Sequence, residues 1–417
     1  MWTLAAIVIA YLAAAGFGWW LEYLNLEHLK EKGGSPPPGF EGHMDEGVLA
    51  RSRQYTIENT RFSMAESISG VALTLLFILV ILEPFDAWVA SLGLGFISSG
   101  ILFFMALFFA EASLGAPFGL YRSFRIEKRY GFSNMTPALW LADFMKSLAV
   151  SALMTAALAA AGLWIVRGSP ALWWFWIWCL FISSSVFMMY ISPYVIEPLF
   201  NRFDEVEDPE LKKRIIRVAE AAGIRVERVL KVDASRRTSH TNAYFTGIGH
   251  VKRIVLYDTL LEKLDNDEIA SVLAHEAGHW RKRHLQKALA AFGLISLAAL
   301  YLSYRVIESG ILGQAFAFEG ASFYALVALL GFLLPVISFP FKPLLAYLSR
   351  RHEREADRYA LELTENPSAM AGALVKLSKD NLSNLFPHPL YAAFHYTHPP
   401  MAERVGELIG KKRMPDS

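Results

Sequence analysis

Seven apolar windows run through this chain of 417 residues, roughly Trp2 to Leu24, Ser67 to Leu82, Gly93 to Leu114, Ser147 to Val166, Ala171 to Ile191, Ala288 to Val306 and Ala321 to Phe341. A helix needs about 20 mostly apolar residues to cross a hydrocarbon core of roughly 30 Å. Inside lipid its backbone polar groups must be satisfied within the segment itself. The chain is therefore expected to be mainly α, with seven transmembrane helices. The second window is the least regular, because Glu83, Pro84 and Asp86 interrupt it, and a short or tilted span is expected there. Composition agrees: 54% of residues are hydrophobic and only 19% charged, too few polar side chains to cover a water-exposed surface. Lys plus Arg (40) nearly cancels Asp plus Glu (39). That balance lacks the basic footprint of phosphate-backbone binding, so the bilayer is a partner and nucleic acid is not. The single cysteine, Cys179, excludes an internal disulfide and a cysteine-based metal cluster.

The loops set an orientation. Lys30, Lys32, Arg51, Arg53 and Arg61 follow the first window, and Arg122, Arg125, Lys128 and Arg129 follow the third, whereas the alternate loops carry almost no basic residue. The first window lacks a basic start, which favours a retained anchor over a cleaved signal peptide. The positive-inside rule then puts the N-terminus outside and the polar segments 192–287 and 342–417 in the cytosol. Four regions are expected: five spans over 1–191, a first polar segment over 192–287, two spans over 288–341 and a second polar segment over 342–417. Short strands are expected at Val229 to Val232 and Arg253 to Tyr257, and a helix at Pro209 to Ala222. Glu66, Glu111 and Asp143 lie in or beside spans, where facing lipid is costly, so they are expected to face a water-filled interior.

The first polar segment carries the chemistry. Asp265 with Glu268 reads as a capping box, followed by Ile269, Val272 and Leu273 at helical spacing. On that helix lies His275-Glu276-Ala277-Gly278-His279. Residues four apart share a helix face, so both imidazoles can meet one metal, with Glu276 beside them to draw a proton from water. Gly278, a poor helix former, suggests close approach by another element. A third ligand is expected in Ser349-Arg350-Arg351-His352-Glu353-Arg354-Glu355-Ala356-Asp357, where spacing alone leaves Glu353, Glu355 and His352 open.

Further motifs extend along the chain: Ile126-Glu127 and Tyr130-Gly131-Phe132-Ser133, Glu197-Pro198-Leu199-Phe200-Asn201, Asn242-Ala243-Tyr244-Phe245, and His395-Tyr396-Thr397-His398-Pro399-Pro400 with Arg404. Together with HEAGH and SRRHEREAD, this ordered set resembles the integral-membrane zinc metallopeptidases of the type I CAAX prenyl endopeptidase class. The resemblance implies a cytosolic gluzincin-like protease domain with a small β-sheet and one Zn²⁺ per chain. His275, His279 and Glu353 would be its ligands, with Asp357 as the carboxylate holding a ligating His. It implies that Glu276 is the catalytic base, that His398 and Arg404 are catalytic residues facing the cleft, where a donor stabilises the oxyanion, and that Asn242, Ala243 and Tyr244 bind an extended peptide by strand addition. The implied substrate is a peptide or protein, either prenylated or membrane-embedded. The membrane would be the inner membrane of a bacterium or the endoplasmic reticulum of a eukaryote. Two alternatives stand beside this reading: a quality-control protease of the same chemistry, which shares the zinc motifs, and a transporter with a structural metal, which would use the intramembrane acids.

Overall fold

The computed structural model describes residues 2–246 and 251–412. Among them, seven helices are long and apolar enough to cross a membrane: Trp2–Lys32, Glu46–Ser91, Phe96–Glu127, Pro137–Gly168, Trp173–Phe200, His284–Glu308 and Phe323–Thr364. Each is built around one of the apolar windows. The second departs most from expectation. Instead of breaking at Glu83 and Pro84, the helix runs 46 residues, about 69 Å at 1.5 Å per residue. Pro84 lacks an N–H, and its ring conflicts with the carbonyl four residues earlier. A π-helical turn at Phe77–Ile81 lies where that conflict falls, and the helix continues beyond it to Ser91. Asp86 is buried and caps the start of the seventh helix, accepting hydrogen bonds from Ser322 N at 3.0 Å and from its hydroxyl at 2.5 Å.

Two of the three intramembrane acids meet charged protein partners. Glu66 pairs with Arg122 at 2.9 Å, and Asp143 accepts two hydrogen bonds from Arg237 at 2.8 and 3.3 Å. Guanidinium groups thus balance the charge of these two, and Glu66 keeps part of its side chain exposed beside Arg122. Glu111 is exposed on its helix.

The first polar segment folds into a four-stranded sheet of order β1-β2-β4-β3, with β1 Phe203–Glu205, β2 Arg225–Val232, β3 Ala243–Thr246 and β4 Val251–Tyr257. β2 and β4 are parallel and the other pairs antiparallel, so β3 pairs on one side only and forms an edge. The helix Pro209–Ala221 leads into β2, its Asp208 side chain capping Glu210 N and Leu211 N.

Helix Asn266–Arg281, the HEAGH helix, starts at the capping box read from the sequence. Asp265 accepts from Asp267 N and Glu268 N at 2.9 Å each, while Glu268 accepts from Asp265 N at 2.9 Å. Its Ile269, Leu273 and Ala277 share one buried core with Ile254 and Leu256 of β4 and with Ile215 and Leu260. Its other neighbour is the helix Lys342–Thr364, here the HEREAD helix, which continues the seventh span through a 3₁₀ turn at Phe339–Phe341. Gly278 is where these two helices meet. A Cβ there would sit 3.0 Å from both Cα and the carbonyl oxygen of Ala356, backbone atoms that cannot swing aside. Gly278→Val is therefore expected to overpack the contact and cost about 1–3 kcal/mol. A thermal melt of the detergent-solubilised variant unchanged from wild type would contradict this packing.

Candidate metal centre

The close approach at Gly278 carries the HEREAD helix across the histidine face of the HEAGH helix. His275 and His279, one turn apart, bring their Nε2 atoms within 3.2 Å of each other. Glu353 reaches in from the neighbouring helix, its Oε2 3.3 Å from His275 Nε2 and its Oε1 3.3 Å from His279 Nε2. Among the described residues this trio is the cluster able to hold a metal ion. Of the three residues that spacing left open, Glu353 is the one that joins the histidines. Glu355 turns to His284 and Arg351, at 3.1 and 3.2 Å, and His352 stacks on His284 with ring centroids 4.1 Å apart.

The donor atoms fit a small divalent ion. Ligand atoms placed tetrahedrally at bond lengths of about 2.0–2.1 Å lie about 3.3–3.4 Å from one another; here the two Nε2 atoms are 3.2 Å apart and each lies 3.3 Å from one of the two Glu353 oxygens. Glu353 is buried, and its Oε2, 3.3 Å from His275 Nε2, makes no hydrogen bond of good geometry among the described residues. A buried carboxylate oxygen left this way is costly unless a cation meets it.

Behind the trio, Asp357 Oδ1 lies 2.7 Å from His275 Nδ1. Arg404, buried on the last helix, donates to Asp357 from Nε at 2.8 Å and from a terminal nitrogen at 2.6 Å. Arg404 thus reaches the cavity wall with this guanidinium edge committed to Asp357. Burial disfavours a charge on His275, but the Asp357 and Glu353 carboxylates outweigh it and lift the imidazole to about 9. Glu276 is raised above the ordinary carboxylate value by burial, against the pull of both histidines, which suits a group that must take up and return a proton.

A cavity of about 230 Å³ opens beside these residues, lined in part by Asn242, Ala243, His275, Glu276, His398 and Arg404. His398 Nε2 stands 3.4 Å from Glu353 Oε1, with more than half of its side chain exposed. Ala243 begins the edge strand β3, and Asn242 precedes it, its carbonyl accepting from Tyr257 N at 3.0 Å. Tyr244 is different. Its hydroxyl donates to Glu197 at 2.7 Å, so its side chain ties the sheet to the Glu197-Pro198-Leu199-Phe200 turn and only its backbone lies along β3.

Sequence reasoning missed two contacts. His284 Nδ1 lies 3.0 Å from His279 Nδ1; five residues do not return to one face of a continuous helix, so spacing gave no signal. His240 stands between Asn381 Oδ1 at 2.8 Å and Glu127 Oε2 at 3.3 Å. Its only signal was adjacency to the Asn242 motif.

Membrane-spanning helices joined to a helix-borne trio of two histidines and a glutamate, with a free carboxylate and an open cavity alongside, define an integral-membrane metallopeptidase. Residues 25–202 match the family described as CAAX prenyl protease N-terminal, five membrane helices, and residues 205–412 match peptidase family M48. CAAX prenyl protease 1 of Saccharomyces cerevisiae is 30% identical over 95% of this chain and 93% of its own length. Its homologue from Arabidopsis thaliana is 36% identical over 72% and 71%. The crystal structure of S. mikatae Ste24p superposes with a TM-score of 0.89 at 29% identity, covering 97% of this chain and 99% of that one. This chain belongs to peptidase family M48, a family of metallopeptidases, and is a multi-pass membrane protein. A transporter with a structural metal is not favoured by these findings.

Because a ligating imidazole must be neutral, metal uptake has to displace the proton that His275 holds below about 9. Apparent affinity should therefore rise with pH until about that value and level off above it, with about one proton released per ion bound near pH 7. Calorimetry in two buffers of different ionisation enthalpy measures the release; identical heats in both would contradict it.

Proposed function

We propose that the metal is zinc, one ion per chain, and that the protein is a zinc metalloendopeptidase acting at the cytosolic surface of the membrane. The observation that carries this reading is the convergence of His275, His279 and Glu353 beside Glu276, in a cavity bordered by an edge strand. Redox-inert zinc suits two imidazoles and a carboxylate, and three protein ligands keep one position open. When bound there, zinc supplies Lewis acidity, which polarises a carbonyl and acidifies water.

The remaining roles belong to the chain. An extended peptide pairs with β3, beginning at Asn242 and Ala243 and using the backbone of Tyr244, because an edge strand offers unpaired N–H and C=O groups. Glu276 takes the proton from the attacking water and returns it to the leaving amine. His398 donates a hydrogen bond to the oxyanion developing at the scissile carbonyl. Asp357 holds His275 in the orientation that keeps Nε2 free, and Arg404 fixes Asp357. The basic loops after the first and third spans support the cytosolic side for this site. Relatives named CAAX prenyl protease 1 support prenylated C-terminal peptides as the substrate class.

Glu276→Gln should keep full metal content and lower cleavage by about 10²–10⁴-fold, whereas His275→Ala should lose both metal and cleavage. Metal analysis beside a peptide assay separates the two, and wild-type turnover by Glu276→Gln would remove Glu276 from its role. For the substrate, purified protein is incubated with a farnesylated CAAX peptide and with an unprenylated membrane-protein fragment, each with zinc and with chelator. Zinc-dependent cleavage of the farnesylated peptide is expected. Cleavage of the unprenylated fragment alone would replace this substrate class with quality control.

A further inference from the structure

His275 and His279 are held from behind in different ways. His275 meets a carboxylate directly, whereas His279 meets a second imidazole, His284, which in turn meets Glu355 Oε2 at 3.1 Å. We propose that His284 and Glu355 form a positioning relay for the metal ligand His279, fixing the tautomer that leaves His279 Nε2 free for zinc. This rests on the zinc site proposed above and adds two residues to it.

The hydrogen positions follow in order. An ionised Glu355 only accepts, so His284 carries its hydrogen on Nε2 and donates it there. A neutral His284 then has its lone pair on Nδ1, facing His279 Nδ1 at 3.0 Å. His279 must donate from Nδ1, and its remaining lone pair lies on Nε2, the atom that faces Glu353 and His275. Reversing any one link would set two hydrogens or two lone pairs against each other.

The backbone and the surrounding side chains are arranged to keep this order. The HEAGH helix ends at Arg281, and Arg283 adopts φ 56°, ψ 36°, a left-handed conformation uncommon for a residue with a Cβ. That turn reverses the chain so that His284, first residue of the next helix, comes back against His279 instead of continuing away from it. His284 is buried, stacked on His352 at 4.1 Å with the rings 12° from parallel. Arg351 Nε holds the other oxygen of Glu355 at 3.2 Å.

The test is zinc affinity of the purified full-length protein, measured by competition with a chelator of known affinity. His284→Ala should weaken zinc binding by about 10–100-fold, the usual cost of losing a partner behind a ligating histidine. His284→Asn should restore it to within about threefold, because its Oδ1 can stand where His284 Nδ1 stands and accept the same hydrogen. Glu355→Ala removes a partly exposed side chain, so the fold should survive even if His284→Ala does not, and it should weaken zinc several-fold, roughly, with the apoprotein melt unchanged. If His284→Ala and Glu355→Ala, or Glu355→Ala alone where the first fails to fold, bind zinc within twofold of wild type, the relay is overturned while the zinc site stands. A wild-type chain that takes up no zinc overturns both.

Discussion

Everything at this site depends on how closely two helices approach. The HEAGH helix supplies a rigid pair of imidazoles, but a pair cannot complete a metal site. The carboxylate arrives where Gly278 lets the Ala356 backbone come so close that an added Cβ would sit 3.0 Å from it. At that separation Glu353 falls between the two rings at 3.3 Å from each. The sheet contributes to holding the HEAGH helix, whose Ile269 and Leu273 share one buried core with Ile254 and Leu256 of β4. The fold fixes the inter-helix distance, and the distance fixes the chemistry.

Around the trio, buried polar groups are met in sequence. Asp357 is gripped by Arg404 and in turn meets His275, and Glu268 closes the helix cap while accepting from Lys376 at 2.6 Å. In a medium of low dielectric such contacts are stronger than in water, and each unpaired member costs more. The Oε2 of Glu353 makes no such hydrogen bond among the described residues, and a cation is the partner that its surroundings call for.

The polar segments are not simply tethered to the helical region. Arg237 reaches from the loop after β2 to Asp143, Asn201 and the Phe200 carbonyl, and Tyr244 reaches Glu197. His240 bridges Glu127 and Asn381 just before Asn242, and its partner Glu127 also accepts from Tyr55 at 2.9 Å. Hydrogen bonding to Glu127 raises the His240 imidazole above its ordinary value, overcoming burial. These contacts leave the edge strand held at one end by the last residue of the third span, Glu127, and along its length by β4.

The number of spans was legible in the sequence, because crossing lipid demands uninterrupted apolar stretches and lipid allows few alternatives. The capping box and the histidine pair were legible too, since both are set by spacing within a single helix. Span ends were not: Pro84 reads as a break, and only the π-helical turn lets the helix run on to Ser91. Spacing could not choose among His352, Glu353 and Glu355, and only the resemblance pointed to Glu353; the tertiary structure shows that residue joining the histidines, because neighbours on one helix point in different directions and the contact depends on a crossing partner 78 residues away, as Glu353 is from His275. The tertiary structure also decided that Arg404 grips Asp357, that Glu66 and Asp143 pair with arginines, and that His284 returns to His279 through a left-handed turn. Periodicity encodes what a residue meets along its own helix; what it meets across space is set by packing between segments.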